Sequence, residues 1–112
     1  MISDDITVIS DTIQTNYAID VEISNKKNGI VFFLGKTNGF HIRIILNDQE
    51  NSITEVELYI VNTPAKKHAQ AYRYVDPARE LITLVHEKTG AGIASNANIN
   101  KNFSKRLWKG GN

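Results

Sequence analysis

The chain contains no cysteine, only two prolines and a single tryptophan among its 112 residues. The absence of cysteine excludes disulfides and thiolate metal sites within the chain, and it is compatible with a reducing cytoplasm. The longest apolar run, residues 30–34, is far shorter than the about 20 residues that cross a bilayer. The first residues, 1–5, are acidic, whereas a secretory signal begins with basic residues. We therefore expect a soluble, unprocessed, cytoplasmic protein.

The length and composition predict one globular domain over residues 1–112. Hydrophobic residues make up 41% of the chain and charged residues 22%, which is typical of a folded protein rather than a disordered one. A chain of this size buries enough surface for one core. The C-terminal tail, residues 95–112, begins with an Asn-rich stretch, and we expect this stretch to be irregular.

Charge and periodicity both change at Thr63-Pro64. Residues 1–62 contain 9 acidic and 4 basic side chains, a net charge of −5, whereas residues 63–112 contain 3 and 9, a net charge of +6. The overall charge of +1 therefore conceals two halves of opposite sign. A basic helical layer on an acidic sheet is the feature that suggests a partner.

The first half begins with a pattern typical of a helix over residues 4–16. Ser3 is a suitable N-cap, and the two aspartates that follow it favour the positive end of a helix dipole. The apolar residues recur at helical spacing, at Ile6, Ile9, Ile13 and Tyr17. Several β-branched residues favour a strand as the alternative.

Four strand-like runs follow, separated by turn-forming residues. Asn28-Gly29 and Asn38-Gly39 are typical of tight turns. The runs are residues 18–24, 30–35, 40–46 and 54–61. In the last two, alternation predicts that one face is buried and the other solvated. We therefore predict a four-stranded antiparallel meander.

The pattern of residues in the second half predicts helices that cover one face of this sheet. Thr63 and Pro64 resemble a helix start, and Asp76-Pro77 repeats that signal. Residues 64–89 are therefore interpreted either as two helices or as one helix bent at Pro77. We expect residues 103–109 to form either a third short helix or a tail that becomes ordered on binding a partner. The predicted fold class is α+β: an N-terminal helix, the meander, and two or three C-terminal helices on one sheet face.

The leading functional hypothesis is a small non-enzymatic binding protein that occupies a macromolecular surface through its basic half. An adaptor, an immunity protein and a phage or plasmid accessory protein all fit this description. Cations and one aromatic anchor are the candidate contacts, namely Lys66, Lys67, Arg73, Lys105, Arg106 and Trp108. Another protein is the expected partner, and a homodimer through an open sheet edge is an alternative.

Two other functions use the same half of the chain. A metal-independent ribonuclease or toxin domain would use His68 or His86 as acid and base. A nucleic-acid-binding module would use the basic residues without chemistry, although duplex binders usually have a larger positive charge. His86-Glu87 would need a second histidine at position 90, which is Gly90. We therefore expect no metal and no other cofactor.

Overall fold

The computed structural model describes residues 2–27, 29–38, 40–60, 63–64 and 72–100. It confirms the α+β class, with two helices and a mixed β-sheet in these ranges. The helices are α1 (Ile2–Tyr17) and α2 (Tyr72–Thr89). The strands are β1 (Val21–Lys26), β2 (Gly29–Leu34), β3 (Phe40–Asn47), β4 (Ser52–Ile60), β5 (Thr63–Pro64) and β6 (Gly92–Ile99). A short 3-10 helix, Lys36–Asn38, joins β2 to β3.

The first four strands form an antiparallel meander in the order β1-β2-β3-β4, close to the predicted ranges. The sheet does not end there, because β6 pairs in parallel with β4. The two-residue strand β5 also pairs with the far end of β4. The sheet is therefore mixed, and the prediction of a purely antiparallel four-stranded sheet is wrong in this respect.

Strand β6 corrects the expectation that the chain is irregular from residue 95. Residues 92–99 form a strand, although its register with β4 shifts between Ile53 and Glu55. Asn100 continues the pairing of β6 with β4, because its main-chain amide donates to the main-chain carbonyl oxygen of Val56 at 2.9 Å. Parallel pairing needs a crossover connection, and α2 lies between β4 and β6 in the chain.

The second half was predicted to contain either two helices or one helix bent at Pro77, and its described residues contain one helix that includes Pro77. Thr63 and Pro64 are paired with Ile60 and Tyr59 in the sheet, so they do not begin a helix. One helix, α2, begins at Tyr72 and continues through Pro77 without a second start. The missing amide of Pro77 removes one hydrogen bond close to the helix start. Residues 65–71 and 103–109, where further helices were predicted, lie outside the described residues.

The core lies between the two helices and one face of the sheet. Helix α1 contributes its predicted stripe of isoleucines, and α2 contributes a stripe of apolar residues of its own. Cross-strand pairs from β3 and β4 complete the layer, such as Ile42 opposite Leu58 and Ile44 opposite Val56. The helical core residues are Ile6, Ile9, Ile13, Val75, Ala78, Leu81, Ile82 and Val85. Among the described helices, none is long and apolar enough to cross a membrane.

Candidate binding face of the sheet

The two described helices pack on one face of the sheet, and the opposite face carries a different set of side chains. Residues directly opposite each other in neighbouring strands point to the same face. The register pairs Phe33 with Arg43 and His41 with Tyr59, and these residues alternate with core residues along each strand. Neither α1 nor α2 covers the surface that they form, and we call it the helix-free face; its strand residues include Glu22, Ser24, Lys26, Val31, Phe33, His41, Arg43, Ile45, Glu55, Glu57 and Tyr59.

Three rings form a row across the helix-free face. Phe33 meets His41 edge to face, with ring centroids 5.3 Å apart and an interplanar angle of 73°. His41 stacks on Tyr59 with centroids 5.6 Å apart and an angle of 14°. Such arrangements match the quadrupoles of aromatic rings. The row therefore crosses β2, β3 and β4 at the centre of the face.

A cation lies over each end of this row. The Nζ atom of Lys36 is 4.8 Å from the centroid of Phe33, and the Cζ atom of Arg43 is 4.4 Å from that of Tyr59. Arg43 also donates from Nη2 to the Tyr59 hydroxyl and from Nε to Glu55 Oε2, both at 2.5 Å. The hydrogen bond to Glu55 raises the pKa of Arg43 above its ordinary value. These contacts fix the guanidinium beside Tyr59 and Glu55.

His41 lies at the middle of the row and is only 7% exposed. Burial lowers its pKa below the ordinary value, and the charges of Lys36 and Arg43 lower it further. A neutral imidazole is therefore favoured between the two rings. In the neutral state, His41 packs between the other two rings as an uncharged ring and does not add a third cation.

Carboxylates also surround the row, in the same number as the cations. Glu22 is 3.4 Å from Lys36 Nζ, and Glu55 pairs with Arg43. Glu57 accepts a hydrogen bond at 3.3 Å from the neutral side-chain amide of Asn100. Lys26 lies on the same face of β1 as Glu22, so the described part of the face has three carboxylates and three cations and no net charge.

The structure leaves most of the sequence-predicted contacts undescribed. Lys66, Lys67 and His68 lie outside the described residues. The same holds for Lys105, Arg106 and Trp108. The backbone of Arg73 belongs to α2, but its side chain is not among those described. The proposed use of these residues therefore stays a prediction.

His86, the other histidine of the ribonuclease alternative, lies at the C-terminal end of α2. Its Nδ1 atom is 2.9 Å from the carbonyl oxygen of Ala91, so Nδ1 carries the hydrogen and donates. The ring thereby holds the chain as it leaves the helix. His41, which the sequence did not single out, is instead the histidine with an aromatic environment.

A groove of about 370 Å³ lies between the end of α1 and α2. The carboxylate of Glu80 accepts from the hydroxyl of Tyr17 and from the side-chain amide of Asn16, both at 2.9 Å. Burial and the adjacent Glu80 raise the pKa of Tyr17 to about 12. Because both Glu80 oxygens are engaged in joining the helices, this carboxylate has a structural role.

The described residues contain no group of three or more His, Asp or Glu side chains that could hold a metal ion. The alternation in β3 and β4 predicted one buried and one solvated face; His41, Arg43, Glu57 and Tyr59 lie on the second face, although His41 is itself buried. The alternation did not predict that Phe33 joins them, because β2 is apolar throughout. The pairing register across β2, β3 and β4 brings the three rings together, and that register depends on turns whose geometry one sequence does not give.

No protein-family model, no curated protein and no solved structure matches this chain.

Proposed function

We propose that this chain is a small non-enzymatic binding protein whose partner is another protein and whose contact surface is the helix-free face. The observation that supports this proposal is the row Phe33–His41–Tyr59 with a cation over each end. Aromatic residues and arginine are the side chains that most often dominate the energy of protein interfaces. The cytoplasm, in keeping with the absence of cysteine, is the proposed compartment.

The electrostatics of the face favour a protein over a nucleic acid. Aromatic rows also stack on bases, but they do so beside an excess of cations that contact phosphates. Here Arg43 is neutralised by Glu55, and Lys36 is close to Glu22. Glu57 accepts from the neutral side-chain amide of Asn100. A partner with an apolar centre and a Lys or Arg opposite Glu57 would complement this surface.

The test is capture of the partner by the full chain carrying changes on the helix-free face. Phe33→Thr and Tyr59→Thr each remove a ring while keeping a residue that favours strands. Val8→Thr is the matched control, because Val8 is an apolar residue that is 48% exposed on α1. We expect the two face variants to lose a stoichiometric protein partner and the control to retain it. Equal capture by all three variants would contradict the proposal.

Two further arms separate the other hypotheses. The pair Lys105→Gln and Arg106→Gln tests the basic half, which we propose as a second contact region together with Lys66, Lys67, Arg73 and Trp108. If only this double variant lost the partner, the contact surface would be the basic half rather than the sheet. Capture that disappears after nuclease treatment and falls steeply with salt would instead indicate nucleic-acid binding.

A further inference from the structure

We infer that β1 is a dimerisation strand, which pairs antiparallel with β1 of a second copy of this chain in a register that places Glu22 opposite Lys26. Among the described strands, β1 pairs with β2 alone and forms an edge of the sheet. An unpaired strand edge is a template for another strand. Its six residues, Val21–Lys26, contain an acidic and a basic residue that select their own copy as the occupant.

The backbone of β1 shows which groups face outward. The main-chain amide of Gly35 donates to the main-chain carbonyl oxygen of Asp20 at 2.9 Å. The main-chain N–H and C=O groups of Asp20 therefore point toward β2. Because this direction alternates along an antiparallel strand, those of Glu22 and Ser24 also face β2. The amides and carbonyls of Val21, Ile23 and Asn25 therefore face the open edge.

In a dimer, the outward amides and carbonyls of one copy can bond to those of the other when Ser24 of each copy lies opposite Ser24 of its partner. We call this the register centred on Ser24. Ile23 of each copy then lies opposite Asn25 of the other and exchanges hydrogen bonds with it. Glu22 lies opposite Lys26 at both ends of the pair, in the non-hydrogen-bonded positions where side chains are closest. Glu22 and Lys26 are both exposed in the monomer. The ion pair of Glu22 with Lys36 is exposed and contributes little to stability. It therefore does not prevent Glu22 from pairing with Lys26 of the other copy.

Another register, centred on Ile23, would place Glu22 opposite Ser24 and Lys26 opposite Asp20. Asp20 lies outside β1 and already accepts a hydrogen bond from the Thr37 hydroxyl at 2.8 Å. The register centred on Ser24 uses only charges within the strand. In either register the paired residues share a face, so both helical layers lie on one side and the two helix-free faces join into one surface.

The dimer should be weak, because pairing of two six-residue strands belongs to the class of interfaces under about 1,200 Å². Sedimentation velocity of the full chain over a range of concentrations should show a monomer–dimer equilibrium. Glu22→Lys and Lys26→Glu should each raise the dissociation constant about tenfold, because two attractive cross-strand pairs become repulsive.

The decisive measurement mixes these two variants. In the mixture, both lysines of the Glu22→Lys copy face glutamates of the Lys26→Glu copy, so dimers should reappear at the concentration where the parent forms them. Asn25→Pro should remain monomeric, since it removes an outward amide without touching the β2 ladder, whereas Asn25→Thr should dimerise. Dimerisation of each charge variant alone as in the parent, or no recovery on mixing, would overturn the proposal. A parent that stays monomeric at millimolar concentration would also overturn it.

Discussion

The side-chain amide of Asn51 donates a hydrogen bond to the main-chain carbonyl oxygen of Thr89, with the nitrogen and oxygen 2.7 Å apart. Asn51 lies in the turn between β3 and β4 and has a positive φ of 53°. Thr89 is the last residue of α2, where carbonyl oxygens have no partner within the helix. The contact therefore caps α2 and fixes its end to the sheet.

Two variants separate the two roles of Asn51. Asn51→Gly keeps a residue that accepts positive φ but removes the hydrogen bond, so it should lower the free energy of unfolding by about 1 kcal/mol. Asn51→Ala removes the bond and also adds strain of about 1–2 kcal/mol in the left-handed region. Urea denaturation of both variants measures these losses. Equal stability of the two would show that the positive φ is not retained.

Gly29 is a second position where the backbone sets the residue type. Its φ is +155°, and a Cβ atom added there would lie 2.4 Å from the carbonyl oxygen of Leu46. Gly29→Ala should therefore destabilise the protein by about 2 kcal/mol or more, since strain and a backbone clash add together.

Gly92 provides the matched control for Gly29. A Cβ atom at Gly92 meets nothing within 4 Å, and alanine is less costly than glycine in a strand. Gly92→Ala should therefore unfold at the same or a slightly higher urea concentration than the parent. A similar loss of stability in the two variants would contradict the close approach of Gly29 to Leu46.

Much of the fold could be predicted from the period of apolar residues. The isoleucine stripe of α1 and the alternation in β3 and β4 both gave the correct buried faces, because burial on one face leaves a local pattern. The position of Pro64 was misread, since a proline near a turn suits a helix start and the end of an edge strand equally well.

Strand β6 and the aromatic row were not predictable in the same way. Residues 95–98 are polar or small, and β6 has a half-exposed burial pattern, so no apolar alternation marks it as a strand. It pairs with β4, which is distant in sequence, and such pairing depends on the whole fold. The contact of His41 with both Phe33 and Tyr59 likewise depends on two registers at once.

Arg43 and Glu55 should be energetically coupled. Their side chains are 33% and 14% exposed and lie 2.5 Å apart, which favours a charge-assisted hydrogen bond. Arg43→Met keeps the apolar stem but leaves the Glu55 carboxylate without its cation, whereas Glu55→Gln keeps the shape without the charge. A double-mutant cycle by urea denaturation should give a coupling energy of about 1 kcal/mol. Additive single losses would show that the pair contributes no coupling.

His41 makes stability depend on pH. Burial lowers its pKa in the folded protein, with Lys36 and Arg43 adding to the effect and Glu22 opposing it. The unfolded chain therefore binds the proton at a higher pH than the folded protein, at about pH 6.5. This contribution to stability is complete above that pH and is lost as the pH falls toward the folded pKa.

The measurement is the free energy of unfolding between about pH 8 and pH 5, above the range where most carboxylates titrate. The parent should lose stability across the lower part of this range. His41→Gln lacks the titrating group beside Phe33 and Tyr59 and should lose less, while His86→Gln, which keeps His41, should still lose stability as the pH falls. If His41→Gln lost stability on acidification as steeply as the parent, the imidazole between the two rings would not be the group that takes up the proton.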